Sequence, residues 1–284
     1  MITLAIQKKG RLAVASLELL KDCGIHFKNA GSDKLKTSAS NFPLELLFLR
    51  DDDIPRYVED GIADIGIVGD NVVLETQADI RKILPLGFGK CRMSIAVPKH
   101  ENYKDIHSLE GKRIATSYDT ILRAYLSEKN VNADIHKISG SVEITPGIDM
   151  ADAIFDIVST GSTLISNGLK EVETILESEA SIYQHRDLGS EKQTHIKDLC
   201  FRIQSVNTAK GRKYILLNVP NDKLETVCEI LPGMKSPTIM PLGEPGWSSV
   251  HSVIDEDRFW EIIQQLKDAG AESLLVTDIE KMIL

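Results

Sequence analysis

The segment Asp156-Ile157-Val158-Ser159-Thr160-Gly161-Ser162-Thr163-Leu164 passes from an apolar run into small hydroxylated residues and a glycine, then into a helical pattern. Such a junction can hold a phosphate. The first turn of a helix has unpaired N–H groups and a partial positive charge. Glycine lets the backbone approach a ligand, and Ser or Thr hydroxyls add donors. The same residue types also make an ordinary Ser/Thr helix cap. No Walker lysine follows, which excludes a P-loop nucleotide-hydrolase site.

Three more stretches carry candidate chemistry. Gln7-Lys8-Lys9-Gly10-Arg11-Leu12 puts three cations and a glycine at a strand-to-helix junction, where open α/β sheets bind ligands. It suits a polyanion; a solvated basic loop is the alternative. Arg50-Asp51-Asp52-Asp53-Ile54-Pro55 offers three acids in a row. Acids at a helix start complement its dipole, so they read as caps before metal ligands, and Arg50 as the substrate-facing group. Gly111-Lys112-Arg113-Ile114-Ala115-Thr116-Ser117-Tyr118 ends a strand in hydroxyls and an aromatic ring, which fit a base or sugar or else a plain turn.

Alternating elements must position these groups. Strands are expected at Thr3–Ile6, Leu44–Leu49, Asp64–Val68, Arg92–Val97, Arg113–Thr116, Asp134–Ile138 and Asp156–Val158. Helices are expected at Leu12–Cys23, Asp53–Asp60, Thr120–Lys129, Asp149–Phe155 and Ser162–Asn167, with Gly24 and Gly168 as stops and Asp53 as a cap. Strand–helix alternation implies parallel β-α-β units. Asp64-Ile65-Gly66-Ile67-Val68-Gly69 also matches Asp156 to Gly161 at three of six positions, a faint echo that fits two similar lobes with a cleft between them.

The tail has a different rhythm. A connecting helix over Leu188–Val206 and a polar linker at Thr208–Lys213 lead to strands at Tyr214–Asn218, Thr238–Leu242, Ser248–Val253 and Ser273–Val276. Helices fall at Lys223–Leu231 and Asp257–Ala269. The order β-α-β-β-α-β is that of a ferredoxin-like sandwich.

A chain of 284 residues suggests about two domains, and 42% hydrophobic residues is enough to bury real cores. A net charge of −9 argues against a nonspecific nucleic-acid binder and confines any anion site to a local island of cations and amides. No apolar run approaches the roughly 18 residues of a membrane span. The opening Met1–Ile6 meets two lysines too soon for a signal-peptide core, so a cytoplasmic protein with no membrane partner is expected. Cys23, Cys91, Cys200 and Cys228 are scattered and read as reduced structural thiols.

Taken in order, these segments resemble the long-form ATP phosphoribosyltransferase family. The resemblance also runs through Lys9-Gly10-Arg11-Leu12, Asp64 to Gly69, Gly140-Ser141-Val142-Glu143, Asn167-Gly168-Leu169 and Ser236-Pro237-Thr238, nearly the whole chain. It implies an α/β fold: a two-lobed core like a type II periplasmic binding protein, then a ferredoxin-like, ACT-like regulatory domain. The expected boundaries are residues 1–90 with 180–207 for the first lobe, 91–179 for the second, and 208–284 for the tail.

The resemblance further implies condensation of ATP with 5-phosphoribosyl 1-pyrophosphate, the first step of histidine biosynthesis. A ring nitrogen of adenine is the nucleophile, so no protein nucleophile is expected. By the same resemblance Ser159, Thr160, Gly161, Ser162 and Thr163 would hold the 5′-phosphate. Asp156 and Glu143 would hold ribose hydroxyls or Mg²⁺, directly or through water. Lys9, Gly10, Arg11, Arg50 and Asp70 would face pyrophosphate or ATP phosphates, and Thr116, Ser117 and Tyr118 the nucleotide. Histidine, as allosteric inhibitor, would meet Asn218, Thr238 and Ser273 in a homo-oligomer between dimer and hexamer. One departure stands out: six residues after Glu143 the family pattern has glycine, whereas this chain has Asp149 and a glycine at Gly147. The rivals from other classes are a solute-binding protein of the same two-lobed fold and a ligand-sensing regulator.

Overall fold

The computed structural model describes residues 1–27, 35–231, 233 and 236–284, in two compact units, Met1–Cys200 and Phe201–Leu284. The first unit opens with β1 (Ile2–Gln7), α1 (Arg11–Asp22), β2 (Lys36–Ser38), β3 (Leu44–Leu49), α2 (Ile54–Glu59), β4 (Ile65–Gly69), α3 (Asp70–Thr76) and β5 (Arg81–Pro85). It continues with β6 (Cys91–Pro98), β7 (Arg113–Thr116), α4 (Asp119–Lys129), β8 (Asp134–Lys137), β9 (Ala153–Val158), α5 (Ser162–Ser166) and β10 (Leu169–Ser178). Then come β11 (Ala180–Gln184) and the long α6 (Ser190–Ala209), which begins in the first unit and ends in the second.

These strands form two sheets, ordered β2-β3-β1-β4-β11-β5 and β10-β6-β9-β7-β8. Setting aside β2, the two share one plan. In each, a first strand (β1, β7) lies between two parallel partners, β3 and β4 or β8 and β9. An antiparallel strand (β11, β6) then follows beside β4 or β9. The chain crosses between the sheets through Leu86–Lys90 and again at Glu179. This is the two-lobed α/β architecture expected from the resemblance. The faint echo falls on the equivalent strands β4 and β9 but out of register: Ile65 opens β4, whereas Ile157 is next to last in β9.

The central strands read as apolar runs because both faces are covered. In β1, Ile2, Leu4, Ala5 and Ile6 have no exposed surface. Helix α1 buries Ala13, Ser16, Leu19 and Leu20, one face at helical spacing, against this sheet. Helix α2 lies so close to β4 that a Cβ on Gly66 would stand 2.6 Å from Ile54 Cγ2.

Three sequence expectations fail here. Asp149–Phe155 is not a helix: Asp149 ends a turn, and Ala153, Ile154 and Phe155 open β9 with no exposed surface. Ala-Asp-Ala favours a helix locally, but a slot between β6 and β7 that buries both faces overrides that preference. Nor is Thr208–Lys213 a linker. Helix α6 runs to Ala209 and β12 begins at Arg212, which leaves only Lys210 and Gly211 as the turn. Asp53 makes no side-chain cap to α2. The sequence pattern also does not announce β10, because an edge strand rich in Lys and Glu looks like a solvated helix face.

The second unit holds β12 (Arg212–Pro220), α7 (Leu224–Ile230), β13 (Thr238–Pro241), β14 (Trp247–Asp255), α8 (Glu256–Asp268) and β15 (Glu272–Asp278). Its sheet order, β13-β14-β12-β15, is antiparallel throughout. This is the ferredoxin-like β-α-β-β-α-β sandwich expected for the tail. Ile215, Leu217, Val219 and Val250 form its core with Val227, Ile262 and Leu266 from the two helices.

Candidate active site

Parallel strands bring their carboxyl ends to one edge, so sequence-distant loops meet there. In the first lobe Gln7 pairs with Leu49, which sets Lys8-Lys9-Gly10-Arg11 beside Arg50-Asp51-Asp52-Asp53. The Lys8 amide donates to the Leu49 carbonyl at 2.8 Å and ties the two loops. Lys8, Lys9, Gly10 and Arg11 are exposed. Gly10 precedes α1 at φ 101°, a backbone region that favours glycine. The end of β4 adds Asp70 to the same edge.

The second lobe supplies the hydroxyl-rich loop. After β9, Ser159 and Thr160 are exposed, Gly161 adopts φ 78°, and α5 begins at Ser162. Thr160 Oγ1 and Ser162 Oγ lie 3.0 Å apart. The Ser159, Thr160 and Gly161 amides donate to no acceptor among the described residues. Behind the loop, Arg92 Nη1 donates to the Ser159 carbonyl at 3.2 Å.

A cavity of about 590 Å³ opens at the crossovers and is lined by Asp70, Lys90, Cys91, Arg92, Ser159, Glu177, Ser178 and Glu179. Asp70 and Ser159 are thus brought to one space. Lys90 and Arg92 are the cations that sequence reasoning missed. Burial alone would raise the Asp70 carboxyl; hydrogen bonds from Lys82, Tyr183 and Ser181 outweigh it and hold it below its ordinary value.

A second group of titratable residues draws on both lobes. Burial pushes the Tyr118 hydroxyl well above its ordinary value, and the charges of Asp156, Asp51 and Asp52 push it further. Asp156 is itself raised by burial, against a hydrogen bond from the Ile157 amide, with the Glu143 charge adding to the rise. Asp52 is raised by burial and then by Asp51 and Asp53, with Arg50 opposing. Tyr118, Asp156, Glu143 and the Asp51–Asp52 turn therefore share one electrostatic environment, drawn from both lobes.

Other expected residues have local duties. Thr116 is fully buried, and its Oγ1 accepts the Tyr118 amide at 2.8 Å. Ser117 Oγ donates to the Ile138 carbonyl at 2.6 Å. Both hydroxyls shape the turn that presents Tyr118. Asp149 takes the left-handed backbone, φ 59°, that a glycine adopts without cost, while Gly147 is not left-handed. The turn thus keeps a glycine-like backbone at position 149 despite the substitution.

In the second unit Asn218 pairs with Ser249, and Thr238 with His251. Ser249 and His251 are two residues apart, so Asn218 and Thr238 share a sheet face. Ser273 lies where the β12–β15 register slips, at φ 51°, a bulge beside Asn218.

The family model described as ATP phosphoribosyltransferase matches residues 50–205, and the one described as HisG, C-terminal domain, matches residues 209–281. The ATP phosphoribosyltransferase of Cytophaga hutchinsonii is 57% identical over 99% of this chain and 98% of its own. The chain belongs to the ATP phosphoribosyltransferase family. The enzyme of that name from Bacteroides thetaiotaomicron is 53% identical over the full length of both chains. A solved ATP phosphoribosyl transferase (HisG:HisZ) complex from Thermotoga maritima is 27% identical with a TM-score of 0.62, covering 72% of this chain and 99% of that one. With both models matched, the chain has the long-form organisation of the family. It is a pentosyltransferase of histidine biosynthesis. No described helix is long and apolar enough to cross a membrane.

Proposed function

We propose that the enzyme condenses ATP with 5-phosphoribosyl 1-pyrophosphate, giving phosphoribosyl-ATP and pyrophosphate. An adenine ring nitrogen attacks the anomeric carbon as the pyrophosphate oxygen leaves. The nucleophile already has a lone pair, so the protein's work is positioning and charge stabilisation. The observation that carries this reading is the Ser159–Thr163 loop, whose Ser159, Thr160 and Gly161 amides have no acceptor among the described residues and whose Ser159 lines a cavity that also holds Lys90 and Arg92.

In this reading Ser159, Thr160, Gly161, Ser162 and Thr163 hold the 5′-phosphate. Lys9, Gly10, Arg11 and Arg50, at the opposing edge, face pyrophosphate and the ATP phosphates, and Tyr118 offers its ring to the adenine. Asp70, already bonded to Lys82 and Tyr183, acts as a fixed negative wall. The first lobe comprises residues 1–90 with 180–207, the second 91–179 and the regulatory domain 208–284.

Magnesium fits the acids of this site. Among the described residues no group of three His, Cys, Asp or Glu forms a cage. Mg²⁺ characteristically takes one or two carboxylates and completes its shell with water and substrate phosphates. Asp156 and Glu143 are such a pair; burial raises Asp156 and the Glu143 charge adds to the rise, and a cation would offset both. When bound, the ion neutralises charge on the departing pyrophosphate. Asp156 and Glu143 otherwise accept hydrogen bonds from the ribose hydroxyls.

The ferredoxin-like unit is proposed to bind histidine on the face carrying Asn218 and Thr238, next to the Ser273 bulge, and to inhibit within a cytoplasmic homo-oligomer of up to six chains. Removal of residues 208–284 abolishes histidine inhibition if so, and inhibition retained at full strength rejects the idea. The activity itself is tested by pyrophosphate release from ATP, phosphoribosyl pyrophosphate and Mg²⁺. Binding without turnover points instead to a solute-binding or sensing protein. Thr160→Ala is expected to weaken phosphoribosyl pyrophosphate binding, and an unchanged titration rejects the loop assignment.

A further inference from the structure

Arg92, in β6, is half-buried and held on three sides. Its Nε and Nη2 donate to the two carboxylate oxygens of Glu171 on β10, each at 2.5 Å. Such a fork-to-fork pair fixes the plane of the guanidinium as well as its position. The carboxylate is itself braced. Ser94 Oγ donates to Glu171 Oε1 at 2.7 Å, and Thr174 Oγ1 donates to the same oxygen at 3.3 Å. The remaining nitrogen, Nη1, points at the phosphate loop and donates to the Ser159 carbonyl.

That carbonyl is the key to the loop's direction. The peptide joining Ser159 to Thr160 is planar and trans, so its C=O and N–H point to opposite sides. Anchoring the Ser159 oxygen on Arg92 therefore turns the Thr160 amide away from the Arg92 guanidinium, and that amide has no acceptor among the described residues. The loop has little else to fix that plane. Gly161 is conformationally permissive, and α5 is only five residues long.

We propose that Arg92 is a positioning residue for the sugar-phosphate site: braced by Glu171, it locks the Ser159–Thr160 peptide so that the Thr160 amide is preorganised for the phosphate. This rests on the reading that Ser159–Thr163 holds the 5′-phosphate. It assigns Arg92 to the loop backbone and not to the ligand, although Arg92 also borders the cavity. The two roles predict opposite behaviour when Glu171 is changed. A guanidinium that binds ligand directly is freed by Glu171→Gln and binds at least as well. A guanidinium that works through Ser159 loses its brace and binds worse.

The experiment is steady-state kinetics with each substrate varied in turn, on full-length Arg92→Met, Arg92→Lys, Glu171→Gln and Thr160→Ala, with circular dichroism as a check on folding. Loss of a charge-assisted, preorganising bond is worth about tenfold or more in KM for phosphoribosyl pyrophosphate. Arg92→Met is expected to show that rise while KM for ATP stays within about twofold, the mark of an effect confined to one substrate. Arg92→Lys, which cannot satisfy Glu171 and Ser159 together, is expected to recover only part, and Glu171→Gln to move KM in the same direction. Should Arg92→Met fail to fold, Arg92→Lys and Glu171→Gln carry the test. An unchanged or lowered KM for phosphoribosyl pyrophosphate in Glu171→Gln, with Thr160→Ala impaired, overturns the positioning role and leaves the loop assignment standing. KM for phosphoribosyl pyrophosphate unchanged in Thr160→Ala and in Arg92→Met alike overturns both.

Discussion

Arg113 grips Asp149 twice, Nη1 on its backbone carbonyl at 2.8 Å and Nη2 on its carboxylate at 3.2 Å. The grip matters because Asp149 stands in the left-handed region. That backbone costs a residue with a Cβ roughly 1–2 kcal/mol, with Asp at the cheaper end because it can bond locally. The carboxylate is 97% exposed, so its ion pair contributes little, while the bond to the backbone carbonyl survives any side-chain change. Asp149→Ala is expected to destabilise by about 1 kcal/mol, and Asp149→Gly to be neutral or stabilising by up to about 1 kcal/mol. Urea unfolding of the two variants against wild type checks the order. Equal effects from both would mean that backbone conformation is not what position 149 selects.

Arg113 also holds Asp152, through Nη2 at 2.9 Å and through its own amide at 2.8 Å. These bonds lower the Asp152 carboxyl from its ordinary 3.8 to about 2, the Arg113 side chain being the largest cause. A depressed carboxylate stabilises the fold above its unfolded value and loses that contribution as pH falls through the folded one. The pair is therefore expected to contribute fully at neutral pH and to fade between about 4 and about 2. Asp152→Asn should lower the urea midpoint at pH 7 and show a shallower fall in that acid window. Parallel pH profiles for wild type and Asp152→Asn would refute the linkage.

What was legible in the sequence is what is contiguous. Asp156–Thr163 and Lys8–Arg11 carry their chemistry within a few residues, so composition and order expose them. Arg92 and Glu171 are 79 residues apart and sit in strands whose neighbours disguise them. Nothing local tells a strand arginine on a sheet face from one that reaches a loop carbonyl. The β9 misreading has a similar source. Asp149 to Phe155 favours a helix by local preference, and only burial between β6 and β7 makes Ala153 to Phe155 a strand. Thr116 and Ser117 show another side of this, since their residue type suggests ligand donors and says nothing of the bonds by which Thr116 Oγ1 accepts the Tyr118 amide and Ser117 Oγ reaches the Ile138 carbonyl.

The lobes are also joined through a helix start. Glu75, on α3, accepts the amides of Thr120 and Ile121 at 3.1 Å each, in the first turn of α4. A carboxylate from one lobe thus caps a helix of the other, next to the turn that presents Tyr118. Glu75→Ala is expected to cost about 1–2 kcal/mol, the scale of a lost cap, and Glu75→Gln less because an amide oxygen still accepts. Thermal unfolding measures the cost. KM for ATP should rise with it, because Tyr118 loses its fixed frame. Full stability in Glu75→Ala would show that solvent replaces the cap without loss.

Asp156 is expected to trade stability for function. Burial and the nearby Glu143 raise its carboxyl, so ionised Asp156 costs stability at neutral pH. The sign follows from proton binding. The folded state binds this proton more tightly than the unfolded chain, so stability falls as pH rises from 3.8 through the raised value. Asp156→Asn removes the charge and keeps the shape, and should raise the melting temperature at pH 7. The same change removes an acceptor for ribose hydroxyls and half of the acid pair available to Mg²⁺. Its kcat/KM should fall on the order of a hundredfold, the scale of losing one preorganised electrostatic group at a reacting centre. In the wild type, the Mg²⁺ requirement should rise on acidification at a higher pH than an ordinary carboxylate would dictate, and Asp156→Asn should lack that rise. A variant both less stable and equally active would reverse both halves of the assignment.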